Sequence, residues 1–181
     1  MESYTEFMED TIGSNVTNLK KYTPDLPYTL SLYEKAMQFI DLAIEEDPNA
    51  ENFAIKAEIT SYYGVLGNLI HIIKYGTQID DITKKALKID PENFRALAIL
   101  AYTKTFSPRI IGGNLNMAYE ILTWLPYEKL TKDQKFNCDT TLAYYYFKQD
   151  DPINANKRLN MANEVYPNSV LIEVLRTMKI D

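Results

Sequence analysis

Cysteine is nearly absent from this chain. Cys138 stands alone among 181 residues, so no internal disulfide can form. Histidine is equally scarce, with His71 alone, in the apolar stretch Leu69-Ile70-His71-Ile72-Ile73. Nucleophilic catalysis by Ser or Cys usually needs a neighbouring His as base, and nothing in the sequence brings Cys138 and His71 together. A metal site would need further His or Cys ligands at short spacing, and none accompany His71. No catalytic residue, metal or cofactor is therefore expected. Long apolar runs are missing too: none approaches the roughly 20 residues that cross a bilayer, so no membrane insertion is expected. The opening MESYTEFMED is acidic and lacks the basic start and apolar stretch of a signal peptide. These features read as a soluble, cytoplasmic chain.

Positive charge is thin as well. There are 19 basic and 25 acidic side chains, a net charge of −6. Lys20-Lys21 and Lys84-Lys85 are pairs on solvated faces rather than patches. Nucleic-acid binding needs phosphate neutralisation, so no nucleic-acid partner is expected. Only 6 glycines and 8 prolines occur, mostly at expected turns, with no low-complexity tract. That favours a continuous helical array over domains joined by a flexible linker.

What the chain does contain is helical punctuation. Residues 142–167 read LAYYYFKQDDPINANKRLNMANEVYP. Neighbours on a helix lie three or four residues apart. Ala155, Leu159 and Ala162 thus form one stripe, and Leu142, Ala143 and Tyr146 form another on the preceding helix. The small residues permit close approach and the large ones fill the gaps. Asp151 caps the second helix, Pro152 suits its first turn, and Pro167 stops it. The spacing predicts an antiparallel helical hairpin.

The second-helix pattern recurs. Ala36, Ile40, Ala43 and Pro48 repeat the spacings 4, 7 and 12 of Ala155, Leu159, Ala162 and Pro167. Ile79, Thr83, Ala86 and Pro91 fit with a polar departure at Thr83. Ala118 and Leu122 begin a further copy that ends irregularly at Leu125-Pro126. Among first helices, Glu51-Asn52-Phe53 with Ala57 corresponds to Glu92-Asn93-Phe94 with Ala98, and Phe94, Leu97, Ala98 and Ala101 share a face. The spacing predicts helices over 28–46, 51–65, 78–89, 92–105, 114–125, 132–148, 152–165 and 168–180. Residues 66–75 are read as an extra turn or a continuation of the helix before them. Long tips are expected at Gly64–Gly76 and Ser107–Gly113. Val170, Leu171, Val174, Leu175 and Met178 are read as a capping helix. Residues 1–27 form an N-terminal segment, in which Tyr4, Phe7 and Met8 are read as a short helix covering the other end. Residues 28–181 form the helical repeat domain.

This order and spacing resembles the tetratricopeptide repeat, whose signature runs L-G-x-x-Y, A-x-x-x-F, A, P over about 34 residues. The resemblance implies an all-α α-solenoid of antiparallel hairpins with a C-terminal cap. It also implies a non-enzymatic scaffold that binds a protein or peptide on its concave face, lined by first helices. The residues so selected are Arg95, Ile99 and Tyr102 on one first helix and Thr140, Tyr144, Phe147 and Lys148 on another, with Ala54, Glu58 and Tyr62 on the earliest. The family's clamp of Lys, Asn and Arg for a peptide's terminal carboxylate is not found as a full set. A homodimer through exposed ends is compatible with short arrays. The stretch Pro108–Asn114 with Ala118 also resembles a turn in small bacterial repeat proteins, among them the T component of solute transporters, which implies a small-ligand-binding accessory protein as the alternative. The acidic pairs at Asp80-Asp81 and Asp150-Asp151 are read as helix starts and turns. Gly112-Gly113-Asn114 is read as a turn with a cap at Asn114.

Overall fold

The computed structural model describes residues 25–66, 69–107 and 112–177, apart from the side chains of 65 and 69–73. All regular structure among them is helical. The chain divides into two compact units, residues 1–89 and 90–181. The expected covering helix at Tyr4, Phe7 and Met8 lies outside the described residues, as does Met178 of the expected cap.

The first unit holds α1 (Leu26–Glu46), α2 (Ala50–Leu66) and α3 (Leu69–Ile89). Asp25 caps α1 by accepting the Tyr28 N–H at 3.0 Å, with Pro27 in the first turn, where proline loses no helical bond. Helix α1 packs on α2, and α2 on α3. Three contacts fix the sense of the first pair. Lys56 Nζ meets Asp41 Oδ1 at 2.5 Å, Thr60 meets Met37, and the Tyr63 hydroxyl donates to Glu34. Numbers rise along one helix as they fall along the other, so the pair is antiparallel. Between its two neighbours α2 carries small and medium side chains: Ala54, Ala57 and Thr60 are fully buried.

Of the long tip expected at Gly64–Gly76, the described residues 64–66 and 69–76 are helical instead. The additional residues lengthen α3 backward to Leu69, so 69–75 begin the second helix rather than continuing the first. Gly64 explains how the two helices stay close there. A Cβ at this position would sit 3.1 Å from Tyr75 Cβ, while the Tyr63 and Tyr75 rings meet edge to face at 5.1 Å. The same extension corrects the expected helix start at Asp80-Asp81. Both lie within α3, where Asp80 pairs with Lys84 one turn on, at 2.5 Å. His71 falls within α3, and its side chain lies outside those described.

The second unit holds α4 (Phe94–Phe106), α5 (Leu115–Trp124), a 3-10 turn (Tyr127–Lys129), α6 (Lys132–Lys148), α7 (Pro152–Val165) and α8 (Val170–Thr177). The repeated Glu-Asn-Phe plays two different parts. Asn93 caps α4 by accepting the Ala96 N–H. Asn52 lies inside α2 and donates to the carbonyls of Ala43 and Asp47, while Asn49 does the capping. The expected caps at Asn114 and Asp151 accept from Met117 N–H and Asn154 N–H. Thr131 and Gln134 form a reciprocal capping box at the start of α6.

Helix α6 is the centre of this unit, packed against α4, α5, α7 and α8. Asp139 meets Arg158, and Phe136 meets Tyr166, so α6 and α7 are antiparallel. Of the stripe residues, Leu142, Ala143, Ala155, Leu159 and Ala162 are at most 1% exposed, and Tyr146 is half-buried. Ala118, Leu122 and Leu125 occupy a second core with Ala101, Leu130, Cys138 and Leu142. Phe94, Leu97 and Ala98 pack on its edge. Helix α8 closes the end of this unit through Ile172 and Leu175; of the expected capping residues, Val170 remains exposed.

Candidate functional site

The selected residues of α4 and α6 meet through an aromatic relay. Tyr102 lies 4.7 Å from Phe106 between ring centroids, and Phe106 lies 4.8 Å from Tyr144. Burial raises the phenol pKa of both tyrosines. The C-terminal ends of α4 and α6 are thereby held side by side. There they frame a cavity of about 480 Å³, lined by Lys104, Thr105, Ser107, Asn114, Tyr144 and Lys148 among others.

Local sequence explains this frame. Lys104 and Lys148 each occupy the last turn of their helix, where a cation opposes the negative end of the macrodipole. The Lys148 ammonium stands 5.9 Å from the Tyr144 ring centroid, a cation–π placement. The connection into α5 is tied back onto α4, because the Asn114 N–H donates to the Lys104 carbonyl at 2.8 Å. Gly112 precedes it at φ 97°, a conformation costly for any side chain. Two ammonium groups, an aromatic face, hydroxyls and amides therefore border one opening, a donor set suited to a carboxylate or another small anion.

The seven residues selected from sequence fall into three groups. Tyr144 and Lys148 line the cavity, Lys148 exposed and Tyr144 enclosed at 6% exposure, showing the cavity only an edge of its ring. Arg95, Tyr102 and Phe147 are half-buried. Arg95 stands 11 residues before Phe106, about 16 Å down the helix axis, and is not part of the cavity. Ile99 and Thr140 are enclosed, at 6% and 4% exposure, and offer no surface to a partner. The Thr140 hydroxyl is spent on the Phe136 and Asn137 carbonyls. Their enclosure follows from the neighbours of each helix: Thr140 lies on α6, which packs against four others, and Ile99 on α4, which packs against both α5 and α6. In the first unit Ala54 is likewise fully buried.

Sequence reasoning missed Lys104. Its signal was positional: like Lys148, it ends a first helix beside an aromatic residue. Also missed was a polar cluster inside the unit. Asp139 is 0% exposed and accepts from the Tyr127 hydroxyl at 2.6 Å and Arg158 Nη1 at 3.0 Å. Burial, the largest influence, raises the Asp139 carboxyl pKa, and hydrogen bonds from Tyr127 and Arg158 pull it back down. Burial pushes the adjacent Cys138 thiol up to about 12, with the Asp139 charge adding to it. A thiol so held stays protonated and is a poor nucleophile. Among the described residues no three His, Cys, Asp or Glu side chains cluster to hold a metal, and no helix is long and apolar enough to cross a membrane. No known family model matches the chain, and a search of curated proteins finds no match.

Proposed function

We propose that this chain is a non-enzymatic helical-repeat scaffold, built on tetratricopeptide-like hairpins, that binds a protein or peptide segment carrying a carboxylate. One observation supports the reading above the rest. Tyr144 and Lys148, selected from sequence as partner-facing, border a single cavity with Lys104, and the aromatic relay from Tyr102 holds that cavity open between two helix ends. An extended segment would set an acidic side chain or its terminal carboxylate between the lysines, with Leu115 and the edge of Tyr144 as the apolar wall beside it. The test is selection of random peptides with free C-termini on the whole protein, then calorimetric titration of the selected peptides. Lys104→Ala with Lys148→Ala should weaken binding at least ~10-fold, with the loss shrinking as salt rises. Peptides that bind the doubly substituted protein equally well, or a selection that enriches none, would sink the proposal.

A second reading has its own support. The cavity volume falls within the range of small-ligand sites, about 300–1,000 Å³. An accessory protein for small organic acids would use the same lysines. Thermal shift against a panel of mono- and dicarboxylic acids separates the two: stabilisation by a free acid that Lys104→Ala abolishes favours the small-ligand reading, and silence across the panel favours the peptide.

A further inference from the structure

Three helix ends meet at the cavity of the second unit. Lys104 and Ser107 belong to the C-terminal end of α4, Lys148 to that of α6, and Leu115 and Asn116 to the start of α5. Among the described residues that line the cavity none is Asp or Glu. The Lys104 ammonium lies against the turn that leads into α5, 3.5 Å from where a Cβ on Gly112 would stand. The Lys148 ammonium stands beside the Tyr144 ring. In α5 the side chain and carbonyl of Asn114 take the N–H groups of Met117 and Ala118. Those of Leu115 and Asn116 open the helix ahead of its hydrogen-bond ladder and have no helical carbonyl behind them.

The amount of charge gathered here separates one anion from another. The ends of α4 and α6 each oppose their lysine with about half a negative charge, and the start of α5 adds about half a positive one. The two lysines therefore leave about +1.5 facing the cavity. A carboxylate carries a single negative charge on a planar pair of oxygens, so part of that field stays unmatched and donors go unused. A phosphate monoester carries about −1.5 to −2 at neutral pH and three strong acceptor oxygens. Its oxygens point in three directions, as the donors here come from three helices. The Ser107 hydroxyl and the Asn116 side-chain amide add donors on the same lining.

We infer that the anion this cavity takes in preference to Asp or Glu is a phosphorylated side chain, phosphoserine or phosphothreonine, on the bound segment. Modification of the partner then controls its binding. The inference rests on the proposed binding of a protein or peptide segment at this cavity and refines the anion. Three degenerate peptide pools that differ only in a central Ser, Glu or phosphoserine test it, fluorescently labelled and titrated with the whole protein. The phosphoserine pool should bind at least ~10-fold more tightly than the Glu pool, the yield of one added charge-assisted hydrogen bond, and the Ser pool should bind most weakly. Lys104→Ala with Lys148→Ala should remove the advantage. Lys104→Arg with Lys148→Arg keeps both charges and should retain most of it, with circular dichroism reporting both doubly substituted proteins folded. A Glu pool that binds as tightly as the phosphoserine pool overturns the inference and leaves the carboxylate reading standing, whereas binding by none of the pools ends both. An advantage that survives the alanine pair puts the phosphate elsewhere, and free O-phosphoserine binding as tightly as the pool assigns the cavity to small phosphate esters; either result overturns the inference.

Discussion

Replacing Arg158 by leucine isolates the polar cluster inside the second unit. Leucine keeps the apolar stem but removes the guanidinium, so the Asp139 carboxylate, fully enclosed, retains only the Tyr127 hydroxyl. Stranding a buried charge costs about 3–5 kcal/mol. The Arg158 side chain is 26% exposed, so water screens part of the pair, and the expected loss is about 2–3 kcal/mol. The pH dependence carries the diagnosis. The Asp139 pKa is raised in the folded state, so the folded chain binds more protons there than the unfolded chain. Stability therefore falls as pH climbs from the unfolded value through the folded one. Removing Arg158 takes away an influence that lowers the pKa, which extends that fall to higher pH. The deficit should be small near pH 4 and grow as pH climbs through the folded value. Urea unfolding followed by fluorescence of Trp124, the single tryptophan, reports on this unit because Trp124 lies on α5. Measurements stepped upward from about pH 4 follow the fall. Adding Asp139→Asn should recover part of the loss and flatten its pH dependence. A deficit below ~0.5 kcal/mol, or one that stays the same size as pH rises, would refute the account.

Three further outcomes are expected. Thr83 is 1% exposed and its hydroxyl has no hydrogen-bond partner, so Thr83→Val should raise the stability of the first unit by about 1 kcal/mol in urea; destabilisation would mean the hydroxyl is satisfied. Thr131→Ala removes half of the capping box on α6 and should cost about 1 kcal/mol, restored in part by Ser at the same position. Cys138, 2% exposed with its thiol pKa pushed up to about 12, should react with a disulfide reagent only as fast as the chain opens. Rapid labelling in native buffer would contradict its burial.

Much of the helical plan was legible before any coordinates. Asn114 and Asp151 cap helices because a short polar side chain before an apolar period satisfies the free N–H groups of the first turn. The alanine and leucine stripe of α7 had to be interior because its period matches one helical face. The boundaries of α6 and α7 follow from the same local signals. These are properties of a few consecutive residues, and the chain determines them by itself.

The rest depended on which helices lie side by side. Nothing local separates an extra loop from an extra helical turn at residues 66–75; Gly64 against Tyr75 decides it by allowing close approach. Glu-Asn-Phe reads identically in both places, yet Asn52 and Asn93 do different work because one helix begins three residues earlier than its counterpart. Ile99 and Thr140 looked partner-facing from one helix's periodicity, but α4 packs against two helices of its unit and α6 against four, and both residues fall on covered faces. Lys104 and Lys148 stand 44 residues apart in sequence and border one cavity only because the Phe106–Tyr144 contact sets two helix ends together. Caps and periods are local energies, written residue by residue; burial and convergence are sums over neighbours that only the folded unit supplies.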